Sequence, residues 1–245
     1  AAARGWSGWA GLAVGAAVAC KLWALAAIPV ALLLLPPAQR ARAAVVALGV
    51  VVVLYAPYFA LDPGAFGDNA KAAGKIGSAP GTVSIANVWF PFANTVDFDA
   101  PTGFGADGRV QTARVNGYEL PRAVGRLAHL LILLAGTGLA LWWLSRGRPA
   151  ALDGALLVVA LALLARCVLD PGTFSYYHAP LLVTLVARDA LAKRPPWLSV
   201  VALGSFELVA RLLPHVSNVH TFNAIYLAWG AGLAALMATV MLRQE

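Results

Sequence analysis

The chain repeats one feature that water would not tolerate: long uncharged apolar runs, such as "VVALGVVVVLYAPYFAL" and "GALLVVALALLA". About 20 residues of helix span the ~30 Å hydrocarbon core of a bilayer. Only 12% of the residues are charged and 60% are hydrophobic, against about a quarter charged in a soluble domain. The chain therefore reads as a polytopic, all-α membrane protein. Spans are expected near 8–35, 42–61, 122–144, 150–169, 177–193, 197–213 and 222–242, a bundle of about seven helices in a single transmembrane domain over 1–245.

The net charge of +7 does not point to nucleic acid, because the basic residues sit in short clusters between apolar runs. Arg40 and Arg42, Arg146 and Arg148, then Arg188, Lys193 and Arg194, fall in alternate connections, and Arg243 follows the last run. The positive-inside rule assigns those connections to the cytoplasm. On that reading the N-terminus of this chain lies outside and the C-terminus inside, in the cell's inner (plasma) membrane. An outside start and the absence of an initiating Met suggest a fragment that lacks upstream helices.

The first run is too long for one straight crossing. At 1.5 Å per residue its stretch of about 28 residues would reach ~42 Å. Lys21 and Pro29 are the natural break points. Gly11 and Gly15 form a G-x-x-x-G pair that suits a close helix neighbour.

Residues 62–121 form one long external loop. Its middle, "GTVSIANVWFPFANT", is aromatic and apolar and reads as an interfacial segment. The part from 97 to 117, rich in Gly and Asp, reads as an exposed loop. Cys20 and Cys167 have no disulfide or metal spacing.

The chemistry concentrates in "RCVLDPGTFSYYHAPLL", residues 166–182. Arg166 ends one helix, Asp170-Pro171-Gly172 turns the chain, and Tyr176, Tyr177 and His178 open the next. An arginine fork suits phosphate, and a histidine suits proton transfer or a second phosphate contact. The alternative is structural: Asp170 caps the turn and pairs with Arg166, while the tyrosines form an interfacial belt. Lys21 is an intramembrane ionisable residue and so a functional candidate. Glu207 and Arg211 are four apart and read either as a self-neutralising pair or as part of a polar cavity, with Glu207 facing protein or water. His215 and His220 flank a loop, and Asn87 and Trp89 suit a sugar contact or an interfacial anchor. No metal site is expected.

Two stretches carry a family resemblance. "GLAVGAAVACKLWALAAIPVALLL" is similar to the Gly-rich helix with a central Lys and a following Pro found in GT-C glycosyltransferases of the family 87 type, which are alpha-mannosyltransferase-like. "LDPGTFSYYHAPLLVTLV" resembles a later segment of the same group. The resemblance implies a GT-C-like fold and transfer of a sugar, mannose foremost, from a polyprenyl-phosphate donor to an envelope lipid or glycan acceptor. It implies no organic cofactor and leaves a divalent metal open. It places Arg166, His178 and Lys21 at the donor phosphate and Tyr176, Tyr177, Asn87, Trp89 and His220 around the sugar or acceptor. The catalytic base is expected upstream of Ala1, with Asp170 as a fallback. The competing classes are a transporter or flippase of lipid-linked sugars and a non-catalytic membrane scaffold.

Overall fold

The computed structural model describes residues 6–20, 22–73, 81–104, 110–146, 152–173, 175–193, 195–212 and 215–243. The chain is mostly helical: α1 (Ser7–Cys20), a 3-10 helix (Leu22–Ala27), α2 (Ile28–Leu33), α3 (Pro37–Leu61) and α4 (Pro63–Ala73) precede a β-hairpin. The hairpin strands are β1 (Asn94–Phe104) and β2 (Val110–Glu119). Then come α5 (Arg122–Ser145), α6 (Leu152–Leu169), α7 (Ala179–Leu191), α8 (Trp197–Leu212) and α9 (Val219–Leu242). Among the described residues, α3, α5, α6 and α9 are long and apolar enough to cross a membrane. The chain is thus a helical membrane protein.

The bundle is built around α6. Its residues are apolar on every side, the pattern of a helix enclosed by others. Leu157, Val158, Ala160, Leu163 and Leu164 are buried among residues of α2, α5, α7, α8 and α9. Neighbours in sequence run antiparallel. Trp143 near the end of α5 sits over Gly154 at the start of α6. Arg188 near the end of α7 returns to Asp153 at the start of α6, and Trp229 of α9 donates to Ser205 of α8 at 2.9 Å. One end of the bundle therefore collects Arg40, Arg42, Arg146, Lys193 and Arg243, and is called the basic end below. The opposite end carries α4, the hairpin and the α6–α7 turn.

The first apolar run does not cross once, as expected, but enters and returns. Gly11 of α1 lies against Ala43 and Val46 of α3, and Gly15 lies against Ala47 and Val50. Contacts that advance together along both helices mean parallel helices. Ala10, at the start of α1, shares an apolar cluster with Leu32 and Leu35 beyond the turn and with Ala43. Lengths agree: the 14 residues of α1 rise ~21 Å, and the 3-10 helix plus α2 descend about the same. The start of α1 thus lies at the basic end, beside the start of α3, which corrects the single-crossing reading from which an opposite-side start was drawn. The described part of α1 ends at Cys20 and the 3-10 helix begins at Leu22. Lys21 itself lies outside the described residues.

A helix that stops inside a bilayer exposes carbonyls that lipid cannot satisfy. Tyr55 of α3 donates its hydroxyl to the Ala19 carbonyl at 2.9 Å, supplying one such partner. At the other turn, Arg40 Nε donates to the Leu35 carbonyl at 3.1 Å.

The long loop also departs from expectation. Residues 97–104 and 110–117 are not irregular: they fall within the antiparallel ladder from Asn94↔Glu119 to Phe104↔Val110, with an irregularity between Pro101 and Gly103. Two strands alone are marginal in water, so the hairpin needs a foundation. The Phe98 ring provides part of it by covering Gly81 and Gly117, where any Cβ would collide with the ring. Gly81 also has φ +71, a conformation that costs glycine little. Phe90 packs edge-on against Tyr118 with centroids 4.8 Å apart.

Replacing Gly15 by Leu is expected to destabilise the α1–α3 pair by roughly 1–3 kcal/mol through overpacking, read as a lower thermal midpoint in detergent. Gly49→Ala, where nothing lies within 4 Å of the added carbon, is the matched control and should not fall. For the re-entrant path, single cysteines at Gly8 and Gln39 should react with an impermeant thiol reagent from the same side of sealed vesicles. Labelling from opposite sides would restore the single crossing.

Candidate functional site

The site lies where α6 ends. A helix terminus leaves its last four carbonyls without intrahelical partners, and here each finds one. The Arg166 carbonyl accepts from the Asp170 amide at 2.9 Å. The Cys167 carbonyl accepts from Thr173 Oγ1 at 2.7 Å and Tyr226 Oη at 3.3 Å. The Val168 carbonyl accepts from the Val88 amide at 3.0 Å. The Leu169 carbonyl accepts from Trp89 Nε1 at 2.6 Å.

Two of these partners come from segment 81–92, which crosses the end of α6 as a strap. Asn87 holds the strap's shape. Its amide donates to the Ser84 and Pro171 carbonyls, the latter at 3.1 Å, and its Oδ1 accepts from the Trp89 amide at 2.8 Å. Asn223 of α9 donates to the Ile85 and Asn87 carbonyls, both at 2.7 Å. The strap therefore joins α6 to α9 through buried amides whose hydrogen-bonding capacity is largely used.

Under the strap lies the charged pair. Arg166 is 4% exposed. Its Nη2 donates to Asp170 Oδ2 at 2.8 Å, and its guanidinium carbon sits 3.8 Å from the centre of the Tyr177 ring. A desolvated guanidinium on an aromatic face gains ~2 kcal/mol or more, which helps offset the cost of burial. Asp170 Oδ1 accepts from the Gly172 amide at 2.9 Å. Arg166 Nη1 is buried and has no hydrogen-bond partner among the described residues.

His178 is buried beside this pair. Its Nδ1 meets the Ser175 carbonyl at 3.0 Å and its Nε2 meets Tyr226 Oη at 2.9 Å. The ring stacks on Phe206, centroids 4.3 Å apart.

The structure thus brings together Arg166, Asp170, Tyr177, His178, Asn87 and Trp89, and it revises their expected roles. Asp170 as a base is corrected: both its oxygens are occupied and it is buried. His178 is not poised for phosphate, because both ring nitrogens face protein atoms. Asn87 and Trp89 spend their polar side-chain groups on backbone carbonyls and a backbone amide instead of presenting them to a sugar. Tyr176 is exposed and packs edge-on against Tyr177, centroids 4.6 Å apart. His220 is exposed at the start of α9, its ring 5.3 Å from Phe90. Asn218 caps that helix, accepting from the His220 amide at 2.9 Å.

Two charged groups differ from expectation. Glu207 and Arg211 pair at 2.7 Å, but both side chains are more than half exposed and turn away from the bundle, so Glu207 lines no interior cavity. Arg188 is not a loop charge. It is 1% exposed, bonded to Asp153 and, at 2.8 Å, to Asp189. Asp189 Oδ2 in turn accepts from Ser199 Oγ at 2.8 Å, tying α6, α7 and α8 together at the basic end. The sequence signal for this network was the adjacent Arg188-Asp189 pair itself.

Comparison with known proteins returned no matching family model, no matching curated protein and no matching solved structure.

Trp89→Phe keeps the ring but removes the donor to the Leu169 carbonyl. The expected cost is about 1–3 kcal/mol, the penalty of an unpaired buried group. The measurement is the thermal midpoint together with faster amide exchange over residues 166–173. Unchanged exchange would show that the strap does not seal this helix end.

Proposed function

We propose that the protein is a membrane glycosyltransferase that moves a sugar, mannose foremost, from a polyprenyl-phosphate donor to an envelope lipid or glycan. The supporting observation is Arg166 Nη1: a buried guanidinium nitrogen without a hydrogen-bond partner among the described residues, on the arginine that lies over Tyr177 at the α6–α7 turn. A buried cation with one unused donor suits a phosphate oxygen, since charge-assisted bonds to arginine are among the stronger hydrogen bonds. Stabilising the charge of a departing phosphate is also what such a transfer requires of the protein. In this reading Asp170 and Tyr177 are positioning residues that fix the guanidinium plane. Tyr176 and His220 border the acceptor side, and the resemblance to GT-C enzymes supplies the reaction class. The general base is not assigned to any of these residues.

The proposed orientation places the basic end in the cytoplasm of the inner membrane and the hairpin end outside. In it α7 and α8 cross together with the four long helices, which makes six crossings and one re-entrant hairpin in place of seven spans.

A transporter of lipid-linked sugars is the second reading, and the re-entrant α1–α2 hairpin favours it. Interrupted helices line the substrate sites of many transporters.

The test is sugar transfer by purified protein in liposomes supplied with radiolabelled polyprenyl-phosphate mannose. Arg166→Lys keeps the charge but loses the fork, and should lower kcat/KM at least tenfold in protein whose thermal midpoint shows it is folded. Equal transfer by wild type and variant would remove Arg166 from the site. Movement of the labelled lipid across the bilayer without transfer would select the transporter, and neither activity in folded wild type would overturn both readings.

A further inference from the structure

We propose that the cleft between the first turns of α1 and α3, at the basic end, binds the phosphate headgroup of an anionic phospholipid. The cleft has a volume of about 580 Å³ and is lined by Trp6, Trp9, Leu12, Arg42 and Val46, among others. It lies at the opposite end of the bundle from the Arg166 site and does not depend on the enzyme reading.

Three observations give it a lipid's polarity. Arg42 is exposed and pairs with no carboxylate among the described residues, whereas its neighbour Arg40 is already spent on the Leu35 carbonyl. Trp6 and Trp9 are 54% and 66% exposed. Indoles this exposed are costly in water, but they suit headgroup depth in a membrane. Leu12 and Val46 then carry the lining toward the apolar interior. A cation at the rim, indoles at the middle and aliphatic carbon below match a phosphate, a glycerol region and acyl chains in that order.

Charge selects among phospholipids. Arg146, Lys193 and Arg243 surround the same end, while Asp153 and Asp189 there are bonded to Arg188. The cleft therefore sits in a positive field, which favours a headgroup with net negative charge over a zwitterionic one. Arginine adds shape to charge, because its planar fork meets two phosphate oxygens at once.

The full chain is reconstituted into phosphatidylcholine nanodiscs containing a minor fraction of dibrominated phosphatidylglycerol or, in parallel, dibrominated phosphatidylcholine. Bromine quenches nearby tryptophan fluorescence. Wild type should be quenched at least twofold more by the anionic lipid, and the Trp6→Phe/Trp9→Phe double variant should lose that excess. Arg42→Gln should also lose it, whereas Arg243→Gln should retain it. Equal quenching of wild type by the two lipids would overturn the proposal, as would an undiminished excess in folded Arg42→Gln. Should Arg42→Gln fail to fold, the tryptophan double variant decides alone: an excess that survives it places the lipid elsewhere.

Discussion

Four carbonyl groups at the end of α6 set the terms for this molecule. In lipid they have no water to turn to, and each unmet group costs several kcal/mol. The chain answers with donors drawn from four places: the turn itself, the strap at 81–92, Thr173 and Tyr226 of α9. That requirement explains why α6 sits in the centre, because only a surrounded helix can collect donors from several directions. It also explains why the strap is aromatic and amide-rich. Asn87, Trp89 and Asn223 are polar where polarity is consumed by backbone and apolar or flat elsewhere.

The same economy governs the buried charges at both ends of α6. Arg166 is matched with Asp170 four residues on, and Arg188 with the adjacent Asp189 and with Asp153. Each buried guanidinium is neutralised by carboxylates close in sequence or at the facing helix end. Breaking such a pair strands a charge at ~3–5 kcal/mol, so both act as locks on helix order. They differ in completeness. Arg188 meets two carboxylates, whereas Arg166 Nη1 has no hydrogen-bond partner among the described residues.

Much of this was legible in the residues. Apolar runs marked the helices of the bundle, and Gly11 and Gly15 marked a close neighbour. The cluster from Arg166 to His178 was found because its polarity is out of place in greasy surroundings. What could not be read was direction and demand. Gly-x-x-x-Gly says that a helix comes close, not that it runs parallel, so the return of the chain toward the basic end stayed hidden. A list of side chains does not say which carbonyls lack partners, so Asn87 and Trp89 read as ligand contacts when they serve the backbone. The hairpin was missed because Asp97, Asp99, Pro101 and Gly103 mask the alternation of Val96, Phe98 and Ala100. Arg188 was miscounted because burial is invisible to a charge tally.

The re-entrant hairpin also changes how crossings are counted. An excursion that leaves and regains the same end contributes zero to the parity of the chain. The up or down sense of α3 and every later helix is therefore independent of whether α1 and α2 are present, lengthened or replaced. The hairpin therefore adds no net crossing between its own two ends. It is a module whose depth and break can vary while the rest of the bundle keeps its handedness in the membrane.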